Sequence, residues 1–156
     1  FIPMSGGMTT NVARLFVTCV PDRPGMVFKL FSKLAAKKIN VDVILQSVGR
    51  DDTKDIAFTV ARDKGLEAKE ICEQFAASIG AGQVDYDDDV AKVSIVGAGM
   101  ESHAGVAAKM FEALYDKQVN IRMIATSEIK VSVIINKADA DRAGMALHDK
   151  CFPTED

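Results

Sequence analysis

Hydrophobic and polar positions along the chain follow two kinds of spacing. Apolar and β-branched residues run through Val12–Val20, and the Pro-Asp-Arg-Pro-Gly stretch after them is typical of a turn, so a strand is predicted there. From Met26 to Lys38 the apolar residues recur at helical spacing with lysines on the other face, which predicts an amphipathic helix. The same patterns predict strands at Val41–Val48, Ile56–Ala61 and Gln83–Tyr86, a polar turn over 49–54, and a helix at Glu67–Ile79 ended by Gly80.

The second half of the chain repeats this order. The predicted elements are strand Val90–Val96, helix Gly105–Lys117, strands Ile121–Thr126 and Ile129–Asn136, and helix Ala140–Cys151. A shift that places Gly25 on Gly105 holds without a gap as far as Ser47 and Ser127. Identical residues in this register include Lys29 with Lys109, Phe31 with Phe111, Leu34 with Leu114, Lys37 with Lys117, Asn40 with Asn120, and Ile44 with Ile124. The chain therefore contains two copies of one βαββα unit.

A βαββαβ unit closes as an antiparallel sheet with both helices on one face, so the expected fold class is α+β with two ferredoxin-like modules. The expected boundaries are 12–88 for the first module and 89–152 for the second. Residues 1–11 are expected to be either a linker or a remnant of an expression vector. The second copy lacks a final strand, so the modules are either sequential with the second truncated, or nested and sharing strands. The sequence leaves both arrangements open.

Composition and charge exclude several classes of protein. The chain has 48% apolar and 26% charged residues, a formal charge of −3, and no basic tract, which argues against nucleic acid as a partner. No apolar run is long enough to span a bilayer, so no membrane partner is expected. Three widely spaced cysteines without a C-x-x-C motif predict structural thiols, no metal site and a reducing cytoplasm.

The two strand-to-helix loops offer the most informative chemistry. Asp22–Met26 precedes the first helix, and 102–106 occupies the same place in the second copy. A glycine at such a loop lets a ligand approach the free N–H groups of the helix start, which suit a carboxylate. An amino acid could be held there. A glycine required only by the turn is the alternative.

Other polar groups do not form a catalytic constellation. His103 could be a general base, a metal ligand or a capping group. It has neither a nucleophile nor an orienting partner nearby in the sequence, which argues against catalysis and metal binding. Gly97-Ala98-Gly99 is too short a match for a dinucleotide-binding turn. Asp87–Asp89 is either a cation site or a solvated link between modules.

Together these motifs resemble ACT domains, and more specifically the regulatory domains of aspartate kinases. The similarity runs from about Val12 to Phe152. The stretches that carry it are Val20–Gly25, Ile39–Asp42, Val43–Gln46, Asp55–Thr59, Val93–Met100, Ser102–Val106, Asn120–Ile121 and Thr126–Ile129.

The resemblance implies an allosteric regulatory domain or subunit. In that family the effectors lysine, threonine or both bind between ACT modules, often across a homodimer, and inhibit a kinase domain that phosphorylates aspartate. ATP and Mg would belong to that kinase domain, so no cofactor and no catalytic residue are expected in this chain. One effector site would use Asp22, Pro24, Gly25, Met26, Val27 and Gln46 facing Asn120 and Ile121. Its counterpart would use His103, Gly105, Val106 and Ala107 with Asp42, Ser127 and Glu128.

Within this implication Asp42 or Glu128 would pair with the ε-ammonium of lysine. Three alternatives remain: an ACT sensor attached to another metabolic enzyme, a small enzyme that uses His103, and a structural dimerisation module.

Overall fold

The computed structural model describes residues 4–97, 103–127 and 129–151. The chain divides into two compact units, an inner unit (Asn11–Asp88) and an outer unit (Phe1–Thr10 with Asp89–Asp156). In chain order the elements are β1 (Met4–Thr9), β2 (Ala13–Pro21), α1 (Met26–Ala36), β3 (Val41–Val48), β4 (Thr53–Val60), α2 (Gly65–Ile79), β5 (Val84–Asp87), β6 (Val90–Gly97), α3 (His103–Asp116), β7 (Ile121–Thr126), β8 (Lys130–Asn136) and α4 (Ala140–Cys151). Short 3-10 turns, Arg62–Lys64 and Lys137–Asp139, precede α2 and α4.

The inner unit is one antiparallel sheet in the order β3-β4-β2-β5. Both of its helices, α1 and α2, contribute to one apolar core with the sheet. The ring of Phe31 on α1 meets that of Phe58 on β4 edge to face, with centroids 5.3 Å apart. The fully buried side chains of this core are Ala13, Leu15, Val17, Val20, Leu30, Leu34, Ile56, Phe58, Ala68, Cys72 and Phe75.

The outer unit repeats this arrangement with the sheet order β1-β6-β8-β7. Its core is built from α3, α4 and the inward faces of β6 and β8, and its fully buried members include Met110, Leu114, Val131, Val133 and Ile135.

The strand that completes the outer unit is β1. It pairs antiparallel with β6, from Met4 opposite Gly97 to Thr9 opposite Lys92. The expectation of a linker over 1–11 is therefore wrong for Met4–Thr9, because pairing with β6 satisfies its backbone groups as a strand. The inner unit keeps β5 for itself, and it is inserted in the sequence between β1 and β6 of the outer unit. The arrangement within the described chain is nested.

The duplication extends to backbone detail. Lys38 and Gln118, one after each first helix, both adopt a left-handed conformation with φ near 58° and 57°. The next residue donates its N–H to a leucine carbonyl one turn back, Ile39 to Leu34 at 3.0 Å and Val119 to Leu114 at 2.9 Å. These bonds satisfy carbonyls that the helix end leaves open.

Several element boundaries differ from the sequence prediction by one to three residues. Strand β4 begins at Thr53 rather than Ile56, because the Gly49 N–H donates to the Thr53 carbonyl at 2.8 Å and closes a tight hairpin. Helix α3 begins at His103 rather than Gly105.

Candidate functional site

The loop from β2 to α1 is the best-defined candidate site in the inner unit. Gly25 is the residue before the first turn of α1 and has φ +92°, a conformation that other L-residues adopt with strain. A Cβ built on Gly25 would meet no atom within 4 Å. The glycine is thus required by the backbone turn, and it borders open space at the helix start.

The first amides of α1 face this open space without a capping side chain. The Lys29 N–H donates to the Gly25 carbonyl at 2.9 Å, which is the first regular bond of the helix. Among the described residues, no acceptor receives the N–H of Val27 or Phe28. Free amides and the positive end of the helix dipole favour an anion such as a carboxylate.

Asp22 brings a negative charge to the same loop. Its N–H donates to the Asp52 carbonyl at 2.8 Å, which fastens the loop to the β3–β4 hairpin. Its carboxylate lies 3.5 Å from the Lys54 ammonium, and the Asp22 side chain is 61% exposed. Pro24 beside it is exposed, Met26 is buried in the core, and Val27 packs partly against that core.

Asp42 and Gln46 lie on β3, an edge strand of the inner sheet, and both are exposed. Gln46 is opposite Ile56, toward the hairpin end that carries Lys54. Asp42 lies at the other end of β3, where a β-bulge occurs and the buried Thr59 hydroxyl accepts the Val43 N–H at 3.0 Å. The structure thus groups Asp22, Gly25 and Gln46 at one end of the inner unit and places Asp42 at the other end.

In the outer unit, the second predicted loop is described in part. His103 begins α3. Gly105 in the first turn is exposed, and Val106 and Ala107 pack partly against the core. Residues 98–102 and Glu128 lie outside the described residues. Of the remaining predicted residues, Asn120 and Ser127 are exposed and Ile121 packs partly on the core, and the Ser127 N–H donates to the Lys130 carbonyl at 2.8 Å.

The predicted sites each combine residues of the inner and outer units. Asp22 and Gly25 belong to the inner unit, whereas Asn120 and Ile121 belong to the outer unit. Asp42 likewise belongs to a different unit from Val106. Their grouping across the units stays a prediction.

Sequence analysis did not identify Lys54 as part of the loop. It lay in the predicted polar turn, but it belongs to β4 with only 17% of its side chain exposed. Lys54 lies two residues before Ile56 and four residues before Phe58. Because alternate residues of a strand share a face, this spacing places Lys54 on the core-facing side of the strand.

No group of three or more His, Cys, Asp or Glu side chains is positioned to hold a metal ion in the described ranges. In those same ranges no helix is long and apolar enough to cross a membrane.

Comparison with known proteins identifies the family. ACT domain models match residues 13–75 and 93–151. A crystal structure of aspartokinase alpha and beta subunits contains a chain with 43% identity and a TM-score of 0.85, with 94% of this chain and 97% of that chain covered. The regulatory subunit of aspartate kinase from Thermus thermophilus is 40% identical with a TM-score of 0.87, covering 96% and 97%. The chain belongs to the regulatory, ACT-domain part of the aspartate kinase family.

This membership confirms the resemblance and the expected α+β fold of two ACT modules. The aspartokinase of Pseudomonas aeruginosa is 49% identical over 148 residues, which cover 94% of this chain and 36% of that protein. The chain therefore spans about a third of the length of this curated relative.

Proposed function

We propose that this chain is the allosteric part of an aspartate kinase, and that it binds lysine, threonine or both for feedback inhibition. The observation that carries the proposal is the loop at Gly25. It combines open space, free helix amides and a carboxylate within one short segment of the inner ACT module. An amino acid carries the two complementary charges a short distance apart.

The proposed contacts assign one group of the effector to each feature. The α-carboxylate accepts hydrogen bonds from the Val27 and Phe28 amides, and the α-ammonium lies near Asp22. Hydrogen bonds to a charged group contribute about 1.5–3 kcal/mol each. A millimolar dissociation constant corresponds to about −4 kcal/mol, so these bonds and the contact with Asp22 together are of the right order for an effector that works at metabolite concentrations.

The rest of the site is proposed to come from the other ACT module. In this proposal Gln46 faces Asn120 and Ile121 around the first effector. The second effector is held by His103, Gly105, Val106, Ala107, Asp42, Ser127 and Glu128, with Asp42 or Glu128 on the ε-ammonium of lysine. The aligned sequence positions of Gly25 and Gly105 in the two repeats support a pair of related sites, in which Gly25 precedes α1 and Gly105 lies in the first turn of α3.

The proposal includes a kinase partner and a homodimer. Inhibition requires that the effector bind the inhibited arrangement more tightly, by about 1–3 kcal/mol. Edge strand β3 supports self-association, because it exposes Ile44, Leu45 and, at 96%, Val48. Free thiols at Cys19 and Cys72 fit a cytoplasmic location.

Titration calorimetry with lysine, threonine and their mixture tests the ligand, and Gly25→Ala tests the loop. The added methyl strains the left-handed turn and stands where the carboxylate binds, so the affinity should fall about tenfold or more. Gly80→Ala is the matched control, because Gly80 also has positive φ and open surroundings but ends α2. Both variants should lose similar stability, and only Gly25→Ala should lose affinity.

Two results would contradict this assignment. Absence of heat with either amino acid, alone or mixed, would favour an ACT sensor of a different enzyme. Equal loss of affinity in the two glycine variants would mean that the Gly25 loop is not the site. With the catalytic kinase part present, Gly25→Ala should also raise the effector concentration needed for half-inhibition.

Sedimentation equilibrium tests the homodimer. Val48→Lys should weaken association, since it places a charge on the exposed edge strand. Leu66→Lys, a comparable change at a 70% exposed residue of α2, should leave the association unchanged. Equal association constants for both variants and the unmodified chain would exclude β3 as the contact.

A further inference from the structure

A cavity of about 330 Å³ lies inside the outer unit, between α4 and the neighbouring strands β1 and β6. Core side chains make its floor, namely Val93 and Ile95 of β6 and Leu147 of α4, each at most 4% exposed. His148 of α4, with 61% of its side chain exposed, lies at the rim. Among the described residues that line the cavity, none carries a carboxylate, an ammonium or a guanidinium group.

The inner unit shows what fills the same space in the other copy of the module. On its edge strand β5, Val84 lies opposite Val17 of β2 and packs against the inner core. On edge strand β1 of the outer unit, Gly6 lies opposite Ile95 of β6. Because cross-strand partners share a face of the sheet, Gly6 stands on the core-facing side where the inner unit has a valine. The outer unit therefore lacks a branched alkyl group at this place.

The helix above the sheet differs in the same way. Helices α2 and α4 each follow a 3-10 turn, and Lys69 and Gly144 are the fifth residues of these helices. Lys69 is half-buried, as expected when a lysine lays its alkyl stem on apolar surface and keeps its ammonium in water. Gly144 has no such stem, and a Cβ built on it would have the end of the Met8 side chain as its nearest neighbour, at 3.4 Å. The cavity thus takes the place of one branched and one linear alkyl group.

The walls of the cavity favour an uncharged apolar molecule. Alkyl surface that leaves water for this space is stabilised, whereas a charged group would lose hydration with no opposite charge on the described lining residues. The imidazole of His148 can form a hydrogen bond at the rim. The Ser94 hydroxyl is already engaged with that of Ser132 at 2.8 Å. A glycine inside a strand, such as Gly6, is typical of a place where a ligand approaches the backbone closely.

We propose that this cavity is a binding site for a small uncharged molecule with a branched aliphatic body and one hydrogen-bonding polar end. The body takes the place that Val84 and the stem of Lys69 fill in the inner unit, and the polar end lies beside His148. The site belongs to the outer unit, whereas the Gly25 loop belongs to the inner unit, so the two sites are independent. A ligand of about six non-hydrogen atoms can reach a dissociation constant of about 1 mM in such a site.

An NMR titration of the full chain with 3-methyl-1-butanol tests the site. The amide resonances of Gly6, Gly144 and His148 should shift and saturate. Gly6→Val gives the outer unit the residue that the inner unit has at this place, so it should abolish the saturable shifts. Gly7→Val is the matched control, because a Cβ on Gly7 meets no atom within 4 Å and points to the opposite face of the strand. The control should keep the binding.

The charged analogues 3-methylbutanoate and 3-methylbutylammonium test the ligand class, and both should bind more weakly than the alcohol. Gly144→Met fills the cavity from the helix side and repeats the test if Gly6→Val fails to fold. Absence of saturable shifts in the unmodified chain would overturn the site, as would equal loss of binding in Gly6→Val and Gly7→Val. Equal affinity for the alcohol and either charged analogue would overturn the uncharged ligand class.

Discussion

Gly144 in α4 tests how the outer unit is packed. It lies inside the helix, and its Cα borders a cavity of about 330 Å³ between α4, β1 and β6. A Cβ built on Gly144 would have the Met8 Cε as its nearest neighbour at 3.4 Å, an ordinary contact with the end of a flexible side chain. Gly144→Ala therefore fits without displacing the backbone.

The expected effect is stabilisation by about 1 kcal/mol. Alanine is favoured over glycine inside a helix by about 0.8–1 kcal/mol, because the unfolded chain loses less freedom on folding. The new methyl group also removes some apolar surface from water at the cavity wall. For a unit of this size, 1 kcal/mol corresponds to a rise of about 4–8 °C in the melting temperature.

Differential scanning calorimetry measures the shift, and hydrogen exchange followed by mass spectrometry assigns it to the outer unit. The matched control is Gly65→Ala at the start of α2 in the inner unit. There the Cβ would clash with the Tyr86 hydroxyl group, so the Tyr86 side chain must move away from its bond to Asp88. Overpacking of this kind costs about 1–3 kcal/mol. Destabilisation by Gly144→Ala, or an equal shift in both variants, would refute the packing described for α4 against β1.

Two further predictions concern buried groups of the inner unit. Thr59→Val leaves the buried Val43 N–H without its acceptor and should lower the free energy of unfolding by about 1–3 kcal/mol in urea titrations. Ser32→Ala on the exposed face of α1 should change it by less than about 0.5 kcal/mol, and equal effects would contradict the role of Thr59. Burial, with the charge of Glu73 nearby, raises the pKa of the Cys72 thiol from 9.0 to about 12. Between these values the unfolded chain releases a proton that the folded chain keeps, so stability should fall by about 1.4 kcal/mol per pH unit above pH 9. Cys72→Ala should lack that component of the pH dependence, and an identical slope in both proteins would argue against a buried thiol.

The sequence was most informative where local pattern and tertiary structure agree. The shared register of the two copies predicted the same helix end before the next strand in each, and the matching conformations of Lys38 and Gln118 agree with it. Strand β1 was missed since Met4–Thr9 has two glycines and no alternating pattern, so its strand state depends on pairing with β6 far along the chain.

The sequence predicted the local part of the candidate site and missed the part that depends on tertiary structure. Asp22 and Gly25 lie in one short stretch of the sequence, so the chemistry of the loop followed from the residues themselves. Lys54 was missed because its approach to Asp22 depends on the register of the β3–β4 hairpin, which no local pattern specifies. The predicted grouping of residues from the two units likewise depends on tertiary structure, which no local pattern specifies.

The nested arrangement has a consequence for synthesis on the ribosome. The inner unit is continuous in sequence, so all of its strands are available once Asp88 has emerged. Strand β1 emerges before the inner unit but has no partner until β6 has been made, so it must stay unpaired while the whole inner unit is translated. The outer unit closes over a long loop and should fold later and more slowly. The glycines at Gly6 and Gly7 suit that delay, because a strand with little apolar surface is a poor template for wrong pairing while it waits.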